Sequence, residues 1–184
     1  GEPIIFKAFL SSPPPSFRNL IHVYLNKNNQ PWSKLGIDIL LGINLDKKVS
    51  TEQSMFLPDY LMKGFENAEI NGHSIVSETK TILNVPDQPK ESSTVLTPFI
   101  IFSLFALLVL ALSFGKNAVI KNMLNIFDML FFLALGLLGV LLLTLWIIRI
   151  DDVCRNNFNL LWALPTHLPV AVVMLKNKKW IRSY

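Results

Sequence analysis

The sequence predicts a mainly α-helical membrane protein, with a small helical extracytoplasmic region followed by a three-helix transmembrane region. Three observations lead there. The 184 residues are 51% apolar and 16% charged, with a mean hydropathy of +0.42, whereas soluble domains carry about a quarter charged residues. Residues 1–93 hold nine Lys/Arg against ten Asp/Glu and residues 94–184 hold eight against three, so the net charge of +4 belongs to the apolar half. Finally, that half contains three uncharged runs, bounded by Glu91 and Lys116, by Asp128 and Arg149, and by Arg155 and Lys176. Basic residues set between apolar runs are a topology signal and do not form one nucleic-acid-binding face. The lipid bilayer is therefore the expected environment, and no nucleic-acid partner is expected.

Residues 1–83 read as the extracytoplasmic region, the end of a larger domain. Pro13, Pro14 and Pro15 make a stiff spacer. Ser16 is placed to cap a helix in which Phe17, Leu20, Ile21, Tyr24 and Leu25 recur at helical spacing. Pro31 starts a second helix reaching Leu41, and Gly42 stops it. Ser50 and Gln53 form a capping-box pattern, and Pro58 fits the first turn of a helix through Phe65. Asn71 and Gly72 make a turn, and Ser74 to Leu83 is the only segment with strand character. Residues 84–93, with Pro86 and Pro89, read as a linker.

Residues 94–184 form the membrane region, with spans expected near 95–114, 129–148 and 158–175. A spanning helix needs about 20 apolar residues. The first two runs meet that length. The third is interrupted by Pro165, His167 and Pro169, so a re-entrant or interfacial segment is its alternative. Lys116 and Lys121 follow the first span, and Lys176, Lys178, Lys179 and Arg182 follow the third, so both flanks are expected to be cytoplasmic. The N-terminal half and the Asp151–Arg155 loop then lie outside. Trp146 is expected near the outer interface and Trp180 and Tyr184 near the inner one. Gly136 and Gly139 suit close helix approach.

A lone cysteine, Cys154, excludes a disulfide framework and any zinc site of several thiolates. No Gly-rich phosphate loop and no metal-ligand spacing is visible, and no cofactor is expected. Nor does a charged n-region with a cleavage site precede the N-terminal half, so a processed chain or a piece of a longer one is expected. Cys154 is an acylation or nucleophile candidate, with Arg155 beside it to lower its pKa. Two neighbouring aspartates oppose that effect, and an ordinary loop cysteine is the plainer reading. His167, ionisable and inside an apolar run, is the intramembrane polar candidate. Its plainer role is a hydrogen bond to Thr144 or to a backbone carbonyl that locks helices together. His22 and His73 read as surface histidines. Asp38, within an apolar helix, calls for a partner such as Arg18 or Lys34.

Several strings together carry a family resemblance. Phe17-Arg18-Asn19-Leu20-Ile21-His22 is followed by Trp32 with Leu35 to Gly42, and then by Met55-Phe56-Leu57-Pro58-Asp59-Tyr60-Leu61. After two apolar runs comes Asn156-Asn157-Phe158-Asn159-Leu160-Leu161-Trp162, with His167 beyond it. This resembles the C-terminal part of the bacterial domain-of-unknown-function 4105 (Lnb-like) envelope proteins, from about Phe17 to His167. The resemblance implies a multi-pass protein of the bacterial inner membrane, similar to lipoprotein N-acyltransferases that use a cysteine with a histidine. The reactive cysteine is then expected before the stretch matching Phe17 to His22. Cys154 does not match that position, and the sequence holds no complete catalytic site. His22 and Asp38 are the helper residues to test. The expected role is to support lipoprotein acyl transfer by an upstream cysteine domain, with lipoprotein or phospholipid as substrate. The alternative is a non-enzymatic membrane subunit or anchor that binds membrane-protein partners in an envelope complex.

Overall fold

The computed structural model describes residues 2–83 and 96–176. The expected linker at 84–93, the start of the first run at 95, and the tail with Lys178, Lys179, Trp180, Arg182 and Tyr184 lie outside the described residues. The fold is mainly helical, with seven α-helices among the described residues. It divides into two compact units.

One unit comprises residues 2–30 and 45–83. Its helix α1, Phe17–Lys27, begins as expected, with the Ser16 hydroxyl accepting from the Asn19 amide at 3.2 Å. A four-residue helix α3, Thr51–Ser54, carries the complete capping box between Ser50 and Gln53. Pro58 then opens α4, Pro58–Glu66. Strands β1 (Ile5–Phe6), β2 (Ala68–Ile70) and β3 (His73–Ser74) form an antiparallel sheet in that order. The expected strand at Ser74–Leu83 is thus corrected: only Ser74 of that segment is in the sheet, and His73 lies on β3. The reason is the turn. Asn71 and Gly72 both have positive φ, 50° and 79°, the hairpin geometry that pairs the residues flanking it directly. Pairing is therefore concentrated before and just after Asn71-Gly72, and β1 comes from far away in sequence.

Leu20, Val49, Ser54 and Ala68 are buried in this unit. Phe6 meets Phe65 edge-on, and Phe17 lies against Phe56. Arg18 pairs with Asp46 at 2.7 Å. Tyr24 donates its hydroxyl to Asp59, also at 2.7 Å.

The other unit comprises residues 31–44 and 96–176. It contains α2 (Pro31–Leu40), α5 (Pro98–Ser113), α6 (Ala118–Ile148) and α7 (His167–Lys176), with a 3-10 turn at Phe158–Leu161. Among the described residues, α6 is the one helix long and apolar enough to cross a membrane. It starts well ahead of the run expected from 129 and takes Lys121 and Asp128 into the helix. The Asn117 side chain sets that start by accepting from the Val119 amide at 2.9 Å. At 1.5 Å per residue, its 31 residues reach about 46 Å, beyond the ~30 Å hydrocarbon layer, so polar residues near its end are accommodated. The first run folds as the 16-residue α5, about 24 Å long.

The third run is not one helix. Phe158–Leu161 is a 3-10 turn, residues 162–166 are irregular, and α7 begins at His167. Pro165 disfavours helix in the residue before it. Pro169 sits in the first turn of α7, where its missing N–H costs no helical bond. This broken segment packs along α6 at the two glycines. A Cβ on Gly136 would lie 2.6 Å from the Leu168 nitrogen, and one on Gly139 2.2 Å from the Ala163 oxygen. Phe105 and Phe127, with ring centres 5.3 Å apart, join α5 to α6.

Gly139→Val is expected to destabilise the detergent-solubilised protein by about 1–3 kcal/mol, as overpacking does. Gly36→Ala, whose Cβ would meet nothing within 4 Å, should not lower the thermal midpoint. Burial, followed by the hydrogen bond to Asp59, pushes the Tyr24 hydroxyl up to about 12. Its unfolded value is about 10, so this contribution to stability is present below pH ~10 and lost as pH rises through the folded value. Alkaline unfolding of Tyr24→Phe should lack that component.

Candidate functional site

The C-terminal end of α2 is where the second unit draws its separate segments together. A helix leaves its last four carbonyls without intrahelical partners, and those of α2 are met largely from far along the chain. Ile37 is answered by the Leu41 amide at 3.0 Å. The other three are answered from the loop after α6. Asn157 donates its side-chain amide to the carbonyls of Ile39 and Leu40, at 2.7 and 3.0 Å. Asn159 donates to those of Asp38 and Ile39, both at 3.0 Å.

The remaining capacity of both amides is used locally. The Asn157 side-chain oxygen accepts from the Asn159 amide and caps the 3-10 turn, while that of Asn159 accepts from the Trp162 indole, both at 3.0 Å. Asn157 is 2% exposed, so its side-chain amide depends on protein partners for its hydrogen bonds. Beyond the helix, Gly42 donates to the Val153 carbonyl at 2.8 Å and the Asn44 side chain to that of Asp152 at 3.0 Å. Gly42 is required by this approach: a Cβ there would stand 1.8 Å from the Arg155 oxygen. The loop itself turns through Asp152 and Asn156 in the left-handed region, φ 56° and 52°, which aspartate and asparagine tolerate best.

At its other end α2 meets α5. The Trp32 indole donates to the Leu96 carbonyl at 3.0 Å, and its ring stands edge-on to Phe102. Between the two helices runs an open groove of about 600 Å³, with Lys34, Leu35 and Asp38 on one wall and Phe99, Phe102 and Ala106 on the other.

Residues 90–184 match the model of a protein family described as the Lnb transmembrane domain, a match over just more than half of the sequence. The chain belongs to the Lnb transmembrane domain family. It is a membrane-anchored region of an Lnb-like protein. No curated protein and no solved structure matches it. The Lnb transmembrane match takes in α5, α6, the Asn-rich string and α7, while α2 lies outside the matched residues.

The sequence candidates fall at separate places in this Lnb-like chain. His22 is on α1 in the first unit, and Asp38 is on α2 in the second. Cys154 is 2% exposed, and a thiol so buried is not presented to a substrate. Arg155, expected to act on that thiol, pairs with Asp152 at 2.7 Å. Arg149 hydrogen-bonds Asp151 and holds its carboxyl below the ordinary range. His167 is the first residue of α7, its ring edge-on to Phe132 with centres 5.3 Å apart. Its Nδ1 is buried without a hydrogen-bond partner, so the hydrogen bond expected to Thr144 or a backbone carbonyl is not made there. Among the described residues no group of three or more His, Cys, Asp or Glu could hold a metal.

Asn157 and Asn159 were visible only as part of a family string. Their partners lie 117 to 121 residues away, beyond the reach of any local pattern. Asn157→Ala removes the side-chain donor to the part-buried Leu40 carbonyl and one of the two to Ile39, and is expected to cost about 1–3 kcal/mol. Hydrogen exchange of the amides in residues 31–44 should accelerate in Asn157→Ala and Asn159→Ala, and the pair should couple in a double-mutant cycle.

Proposed function

We propose that this chain is the membrane-anchored C-terminal portion of an Lnb-like envelope protein of the domain-of-unknown-function 4105 family. In this reading it supports cysteine-dependent acyl transfer to lipoproteins by a domain that precedes it in the full protein. The observation that carries the reading is the family match across α5, α6 and α7. Thioester exchange needs a thiolate, a base and a group that stabilises the oxyanion. The membrane part contributes position: it keeps the reacting groups at the surface where lipid acyl chains are available, replacing a bimolecular search by a fixed geometry. His22 and Asp38 are its helper residues, and lipoprotein and phospholipid its substrates.

The chain crosses the bacterial inner membrane three times in this reading, with α5 and α6 as the first two passes and the broken segment ending in α7 as the third. Irregular backbone at membrane depth is tolerated where protein covers it, and the contact of Ala163 and Leu168 with Gly139 and Gly136 supports that. The capture of α2 by residues 152–159 supports placing residues 31–44 and this loop on one side of the bilayer. Lys116 and Lys121, near the opposite ends of α5 and α6, support a cytoplasmic position for that turn.

A second reading, a non-enzymatic anchor for other membrane proteins, is favoured by one observation: the third apolar segment is broken around Pro165 before α7. One measurement tests the topology and a second separates the readings. In a Cys154→Ala background, a membrane-impermeant thiol reagent should reach Asp152→Cys on intact spheroplasts and Lys116→Cys only after permeabilisation. In the full-length protein, His22→Ala and Asp38→Ala should each lower acyl transfer to a lipoprotein by about 100-fold or more if they assist proton transfer. An unchanged rate in both variants removes the helper role, and absence of any transfer by the full-length protein leaves the anchor reading.

A further inference from the structure

The groove between α2 and α5 combines an apolar wall with a charged one. Its α5 wall carries Phe99, Phe102 and Ala106 from a helix without a single charged residue. Its α2 wall carries Lys34 and Asp38, opposite charges four residues apart and therefore on one helical face. The volume of about 600 Å³ lies within the usual range for small-molecule sites. Trp32 marks the depth of the charged wall. Its ring packs on Phe102 and its indole N–H is spent on the Leu96 carbonyl at the start of α5. Such amphipathic rings favour the level of lipid headgroups. From that level, Phe99, Phe102 and Ala106 lead along α5 into its apolar length.

We propose that this groove holds a bilayer phospholipid whose headgroup carries both a phosphate and an ammonium, with an acyl chain laid along Phe99, Phe102 and Ala106. The Lys34 ammonium faces the lipid phosphate and the Asp38 carboxylate faces the lipid ammonium. Both residues already have interactions within the protein, and the headgroup adds to them. A lipid with a phosphate and no cationic group would set its charge against Asp38, so selectivity between headgroups follows from the pair. The proposal rests on the membrane setting shared with the proposed function and does not depend on acyl transfer, so labelling and activity can fail separately.

The test uses the full chain in nanodiscs of equal phosphatidylethanolamine and phosphatidylglycerol. Either lipid carries a photoactivatable acyl chain, and cross-linked peptides are mapped by mass spectrometry. Adducts of the ethanolamine lipid should concentrate on residues 31–38 and 98–106, exceeding those of the glycerol lipid by about fivefold, as for one partly exposed ion pair. Asp38→Asn should bring that ratio to near one. Ala106→Trp should empty the groove of label while leaving label on α6 unchanged, which also reports that the variant is folded. Adducts spread evenly along α5 and α6 with either lipid, or a ratio unmoved by Asp38→Asn, would overturn the proposal.

Discussion

Three carbonyls at the end of α2 and two asparagine side chains hold the second unit together. A helix terminus buried against protein must have its orphan acceptors satisfied, because each one left bare carries a desolvation cost of about 1–3 kcal/mol. Asn157 and Asn159 meet that requirement, using one amide each to reach two carbonyls and turning the carbonyl end of the amide back to organise their own loop. A single pair of residues thus fixes the end of one helix, the shape of the loop after α6 and the entry into the broken segment that leads to α7. Gly42 completes the junction by allowing backbone to approach backbone where any side chain would collide with Arg155.

The same logic of close approach governs the apolar side. In a lipid-facing region there is little hydrophobic gain from bringing helices together, so small residues and backbone proximity carry the association. Gly136 and Gly139 let the chain around Ala163 and Leu168 settle on α6. Pro165 and Pro169 would be costly inside a continuous helix. Here they lie at a break and in a first helical turn, where neither costs a helical bond. His167 stands at that break on the ring of Phe132, with a buried nitrogen that no protein group answers.

Much of the local structure was legible because it depends on neighbours in sequence. Ser16, the Ser50–Gln53 box, Pro31 and Pro58 announce helix starts, and each is found there. The Asn71-Gly72 turn was equally plain, but the strands around it were not. A two-residue ladder such as Ile5–Phe6 on Ala68–Glu69 carries too little alternation to read, and its partner is 62 or more residues distant. The apolar runs gave the membrane character, yet not the helix limits. Those were set by the Asn117 cap at one end of α6 and by prolines within the third run.

The sequence by itself determined that this is a mainly helical chain with a membrane-embedded half, because hydropathy, charge placement and capping are properties of short segments. It also carried the resemblance to Lnb-like proteins in strings that include the Asn-rich loop. Only the tertiary structure decided what those asparagines do, that α2 belongs to the same compact unit as α5, α6 and α7, and that Lys34 and Asp38 share a groove with α5. The physical reason is distance along the chain. A side-chain amide that caps a helix more than a hundred residues away leaves no periodicity, spacing or composition to mark its partner.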